Sequence, residues 1–146
     1  MRPSHLLSAK DLDRGEIRRL LLAARAFRPA MERGETIPLL AQQTIVNLFF
    51  ENSTRTRLSF ELATRRLGGA TLNFAASGSS VQKGETLIDT AHNIQAMRAH
   101  CLVLRHSCAG SPHFLAQNVN VPVINAGDGF HEHPTQALLD AFTIEE

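Results

Sequence analysis

Four short strand-like runs, each followed by polar residues and then by a helical pattern, constrain this chain more than any other feature of it. The first, Thr44-Ile45-Val46-Asn47-Leu48-Phe49-Phe50, shows no alternation of apolar and polar positions. A strand with one face in water alternates, so this run reads as a strand covered on both faces, the condition of a parallel sheet wrapped by helices. Strands at 70–75, 101–105 and 121–126 continue an alternation of strand and helix, with helical spacing at 54–67, 85–99, 111–118 and from Pro134. Short strands alternating with helices predict an α/β domain: a parallel sheet of about four strands, covered by helices on both faces in three layers.

Local signals punctuate these elements. Asp13 and Glu16 stand at capping-box spacing, and Ile17, Leu20, Leu21, Ala24 and Phe27 then recur as one helical face to about Glu32, with Gly34 as the stop. Gly68-Gly69 ends the helix begun at Thr54. The last helix opens with Pro134 at its first position and reaches Glu145-Glu146 without a cap or turn signal, so it looks cut mid-element. No internal repeat or flexible linker divides residues 1–146, and 146 residues with 43% apolar content suit one domain.

Fifteen Lys and Arg against fourteen Asp and Glu leave a net charge of +1, so no global field recruits nucleic acid or an acidic membrane. No run approaches the ~20 apolar residues of a membrane helix, and Met1-Arg2-Pro3-Ser4-His5 leads into no signal-like segment, which makes the cytoplasm the expected location. Cys101 and Cys108 match neither a CxxC redox pair nor a zinc module; Cys101 reads as a buried strand residue and Cys108 as incidental. The Gly-rich fingerprints of dinucleotide and nucleoside triphosphate sites are missing, so any anion bound here is small.

Open parallel sheets bind ligands beyond the carboxyl ends of their strands, and polar residues gather there in this chain. After the first strand comes Glu51-Asn52-Ser53-Thr54-Arg55-Thr56-Arg57. A helix starting near Ser53 or Thr54 turns its free N–H groups and positive dipole end toward an anion, and the hydroxyls and the Arg55 fork add donors. The plainer reading, Ser53 as a simple N-cap before solvated arginines, suits an isolated Ser-Thr pair better than two Arg with three hydroxyls in five residues. Gly78 and Gly84 bracket a polar loop with Ser79, Ser80 and Lys83, able to carry a cation to a phosphate or to stand simply as a solvated loop. Arg105 closes an apolar strand, so its head belongs at the carboxyl edge, either in a salt bridge or beside Arg55. His133, at a helix N-cap, feels the positive dipole end, which lowers its pKa and keeps it a neutral donor. His131 and His133 lack a third metal ligand at suitable spacing, so no metal is expected.

These residues resemble the transcarbamoylases. Phe50-Glu51-Asn52-Ser53-Thr54-Arg55-Thr56-Arg57 is similar to their Ser-x-Arg-Thr-Arg signature, and His133-Pro134-Thr135-Gln136 to their His-Pro-x-Gln signature. Asn52, Arg105-His106 and the run from Gly78 to Thr86 resemble the aspartate members rather than the ornithine members, which typically carry Lys at the position of Asn52 and lack the lysine loop. The likeness covers essentially the whole chain, with Asn125-Ala126-Gly127-Asp128-Gly129 and Leu138-Leu139-Asp140 included.

The resemblance implies the carbamoyl-phosphate-binding domain of a two-domain catalytic chain that needs no cofactor and joins carbamoyl phosphate to aspartate, a step of pyrimidine synthesis. It implies that Ser53, Thr54, Arg55 and Thr56 hold the phosphate, that Arg105 holds phosphate and carbonyl oxygen, that His133 and Thr56 hold that carbonyl, and that Gln136 binds the carbamoyl amino group. Ser79 and Lys83 match a loop that reaches a neighbouring subunit's site, implying a homotrimer; a regulatory or dihydroorotase partner stays open. The other readings are half of an ornithine carbamoyltransferase and a non-catalytic small-anion-binding domain. Family members are about twice as long, their second half holding aspartate. The purified 146-residue chain is therefore expected to form no detectable carbamoyl aspartate in a colorimetric assay, and any turnover above background would contradict this assignment.

Overall fold

The computed structural model describes residues 4–75 and 85–146. A 3-10 turn, Ala9–Asp11, precedes helix α1 (Arg14–Glu32). There follow β1 (Thr44–Phe49), α2 (Thr54–Arg66), β2 (Ala70–Ala75), α3 (Leu87–Ala96), β3 (Cys101–His106), α4 (Ser111–Asn118), β4 (Val123–Asp128) and α5 (Pro134–Ile144). All three strand pairings are parallel and the order is β2-β1-β3-β4, the architecture expected from the apolar runs.

Strands β1, β3 and β4 are buried on both faces and read as largely apolar runs, whereas the edge strand β2 leaves Leu72 and Asn73 exposed. On one face Val46, Leu48, Leu102, Leu104 and Val123 pack with Leu115 of α4 and Ala91 of α3. On the other, Ile45, Phe49, Cys101, Val103 and Ala126 meet Phe60 of α2. Cys101 is buried, and burial pushes its thiol up to about 11, whereas Cys108 is exposed. The capping box at Asp13 and Glu16 forms as the spacing predicts, Glu16 N–H donating to Asp13 at 2.7 Å and Asp13 N–H to Glu16 at 2.8 Å.

Two boundaries differ from the sequence expectation. Helix α3 is shorter than 85–99: Thr86 stays extended to cap Asp89 N–H at 3.2 Å, and Arg98, at φ 63°, takes the left-handed place that glycine usually fills after a helix. Strand β4 starts two residues later than expected and runs on through Gly127 and Asp128, because Asp128 pairs with His106 across an irregularity in the β3 ladder. The free edge of β4 is covered by the N-terminal segment, where Leu6 N–H donates to Val123 C=O at 2.9 Å and Leu6 C=O accepts from Asn125 N–H at 2.9 Å.

Leu104 is fully buried at the centre of the larger core cluster. Leu104→Ala is expected to cost about 2–5 kcal/mol, seen as a lower midpoint in urea unfolding at unchanged slope.

Candidate active site

Strand β3 passes from Leu104, with no exposed surface, straight to Arg105, so the guanidinium can only emerge at the sheet's carboxyl edge. The register sets Phe49 of β1 opposite Arg105, and Phe50 N–H extends the pairing to Arg105 C=O at 2.9 Å. This brings the following residue, Glu51, beside the arginine. Arg105 Nη1 donates to Ala126 C=O at 3.0 Å, while its Nε lies 3.3 Å from Glu51 Oε2 outside hydrogen-bonding geometry. That buried Nε–H has no hydrogen-bond partner among the described residues. An anion oxygen offered to this edge would meet an unsatisfied donor, in competition with the Glu51 carboxylate.

Gly127 makes the perch for Arg105. Its φ is +114°, and a Cβ there would stand 2.6 Å from Arg105 Nη1 and 3.4 Å from the His133 ring. The guanidinium therefore lies across bare backbone. Just beyond, Asp128 is fully buried and gathers four donors: Gly110 N–H at 2.8 Å, Asn125 Nδ2 at 3.0 Å, Glu132 N–H at 2.9 Å and His131 Nδ1 at 3.0 Å. Burial pushes its carboxyl up, but these hydrogen bonds outweigh it and hold Asp128 below the usual carboxylate range. Charged and closed on itself, this knot fixes the loop that delivers His133.

His133 is the N-cap of α5 and its pKa is lowered, both as expected. Burial is the leading cause and the Arg105 guanidinium the next. A neutral imidazole beside an arginine can donate one hydrogen bond to a carbonyl without adding charge. His131 turns elsewhere, to Asp128 and the ring of His113, and among the described residues no three metal-ligating side chains gather.

At the start of α2, Ser53 is the N-cap residue, yet its side chain makes no capping hydrogen bond. Its hydroxyl is thus not committed to the helix, which favours a ligand role over simple capping. Arg55 and Thr56 of the first turn line a crevice of about 540 Å³ together with Arg105, His133, Thr135 and Gln136, floored by Phe60, Ala63 and Leu139. Ser53 and Thr54 stand outside its lining, at the cap and first residue of α2. Gln136 donates its amide to Asp140 at 2.8 Å, so an incoming ligand must draw it from that contact. Ser79 and Lys83 lie outside the described residues.

Three contributors escaped the sequence reading: Glu51, Gly127 and Thr135. Glu51 and Gly127 act through Arg105, and only the β1–β3 register and the β4 irregularity disclose that proximity; a charge directly after an apolar run was the one visible hint for Glu51. Thr135, between His133 and Gln136, lines the crevice and approaches His133 Nδ1 at 3.3 Å.

Fold and crevice together define a class: a parallel α/β domain whose crevice at the carboxyl edge of the sheet gathers the start of a helix, a strand-end arginine and a histidine. Residues 4–146 match the aspartate/ornithine carbamoyltransferase, carbamoyl-P binding domain, and the chain belongs to that family. The aspartate carbamoyltransferase catalytic subunit of Cytophaga hutchinsonii is 54% identical over 143 residues, 97% of this chain and 47% of that protein. Among solved structures, a Trypanosoma cruzi aspartate transcarbamoylase in complex with carbamoyl phosphate and aspartate superposes with a TM-score of 0.92 at 39% identity, over 99% of this chain and 44% of that one. The catalytic subunit of M. jannaschii aspartate transcarbamoylase gives 0.88 at 44% identity, over 96% of this chain and 46% of that one. The chain thus spans about half the length of the relatives it matches.

Gly127→Ala must move Arg105 and strain the backbone, and inorganic phosphate binding measured by calorimetry is expected to weaken at least about tenfold, as for loss of one charged hydrogen bond. His133 and His106 are both held below their ordinary value of 6.5, chiefly by burial. The unfolded chain therefore binds more protons as pH falls below that value, and stability must rise with pH there. Thermal melts are expected to give a lower Tm at pH 5.5 than at pH 7.5, with the difference reduced in His106→Asn.

Proposed function

We propose that this chain is the carbamoyl-phosphate-binding domain of an aspartate carbamoyltransferase, which makes N-carbamoyl-L-aspartate and phosphate from carbamoyl phosphate and aspartate in pyrimidine synthesis. The observation that carries this reading is the convergence of Arg55, Thr56, Arg105, His133 and Gln136 on one crevice at the carboxyl ends of β1, β3 and β4.

Ser53, Thr54, Arg55 and Thr56 hold the phosphate, using the helix start and the arginine fork. Arg105 spans phosphate and carbonyl oxygen, leaving Glu51 as it does so. His133 and Thr56 donate to the carbonyl, and Gln136 accepts the carbamoyl NH2. Attack of the aspartate amine on the carbamoyl carbon makes a tetrahedral oxyanion; the C–O bond to phosphate then breaks and the proton from the amine leaves on the departing phosphate. Donors already aimed at the carbonyl stabilise the charge where it develops, and one such donor is worth about 3–4 kcal/mol in other acyl transfers. No side chain forms a covalent bond, and no cofactor is called for.

In the working enzyme, a second domain supplies the aspartate contacts. The assembly is a homotrimer in which Ser79 and Lys83, outside the described residues, serve the site of an adjacent subunit. The setting is cytoplasmic; among the described residues no helix is long and apolar enough to cross a membrane.

Calorimetry tests the reading directly. Carbamoyl phosphate is expected to bind the chain with one site, and Arg55→Ala to weaken it at least about tenfold, the worth of a charge-assisted hydrogen bond. Equal binding by the two proteins removes Arg55 from the site, and no binding by the parent chain rejects the assignment.

A further inference from the structure

The residues ahead of α1 play no part in the reading above, yet they make buried polar contacts at long range. Ser8 has no exposed surface, and its hydroxyl donates to Glu132 Oε1 at 2.7 Å, with Ala9 N–H 3.4 Å from Oε2. Glu132 is the residue immediately before His133. On the other side, Leu6 makes two backbone hydrogen bonds to β4, and Leu7 C=O accepts from Asn125 Nδ2 at 2.9 Å. Asn125 in turn accepts Gly127 N–H on its Oδ1 at 2.8 Å and donates to Asp128 Oδ1 at 3.0 Å.

Residues 6–9 therefore grip both ends of the β4–α5 connection. The Asn125 end shapes Ala126 and Gly127, on which Arg105 rests; the Glu132 end leads into His133. Covering the edge of β4 explains the backbone bonds of Leu6. It does not explain a buried hydroxyl placed on a carboxylate 124 residues away. The Ser8 hydroxyl is also the leading reason that Glu132 sits below the usual carboxylate range, which marks the contact as charge-assisted.

We infer that residues 6–9 are a positioning strap for the site, with Ser8 and Glu132 as positioning residues that set where His133 stands relative to Arg105. The role assigned to His133 rests on the carbamoyltransferase reading, but the strap itself can be read without ligand. Ser8→Ala and Glu132→Ala break the link, whereas Glu132→Gln keeps an acceptor for the hydroxyl. The assay compares the four 146-residue chains by NMR of the His133 imidazole without ligand, by calorimetry with carbamoyl phosphate, and by thermal melting.

Ser8→Ala and Glu132→Ala are expected to shift the His133 signals and to weaken carbamoyl phosphate binding about three- to tenfold, as for one lost hydrogen bond, while Glu132→Gln stays close to the parent in both. Unmoved His133 signals in both alanine variants overturn the strap, as does unchanged affinity, and as does Glu132→Gln behaving like Glu132→Ala. A lowered Tm with site signals and affinity intact means edge cover alone, and also overturns it. If Ser8→Ala does not fold, Glu132→Ala, altered only at a partly exposed loop residue, decides by the same criteria. A parent chain that binds no carbamoyl phosphate rejects the functional reading, and the His133 signals then decide the strap by themselves.

Discussion

The site depends on the burial of β3. Leu102, Val103 and Leu104 have no exposed surface, and the next residue is an arginine. A guanidinium cannot stay in a core with that packing, since an uncompensated buried charge costs several kcal/mol. It must leave at the carboxyl edge, and the neighbouring strands determine what it meets there: Glu51 from the β1 side, Ala126 and Gly127 from β4. The sheet's hydrophobic packing thus places a charge to within a hydrogen-bond length.

The charges around that arginine oppose one another in a useful way. Glu51 attracts Arg105 without a good hydrogen bond, so the pair is held but not satisfied. The same guanidinium helps keep His133 neutral. Under the proposed function, a ligand carrying two negative charges would take Arg105 from a single carboxylate and find beside it an uncharged donor for its carbonyl. Within this domain, its arrival would exchange the partners of Arg105 and leave the strands and helices where they stand.

Much of this was legible from the residues. Burial on both faces erases alternation in β1, β3 and β4, so these strands announced themselves, and the loop ends and helix starts after β1 and β4 carried Ser53, Thr54, Arg55, Thr56, His133 and Gln136 in plain view. What was hidden depends on register. That Asp128 belongs to β4, that Glu51 faces Arg105, and that Gly127 must lack a side chain follow from how strands line up across the sheet, which spacing along one chain does not specify. The extension of β4 to Asp128 and the short α3 reflect single residues, Asp128 pairing with His106 and Thr86 capping Asp89, that override the wider pattern. The burial and the nearby Arg105 that lower the pKa of His133 were hidden for the same reason: both are tertiary facts.

The placement of Leu6 and Leu7 on β4 has a bearing on the order of events in folding. The bond from Asn125 to Leu7 closes a separation of 118 residues, and β1 itself must wait for β3 before its second edge is paired. Contacts of such span pay their loop-closure entropy before returning any stability. By that cost residues 6–9 are expected to settle late in folding, and the β4–α5 corner that carries His133 is complete only once they do.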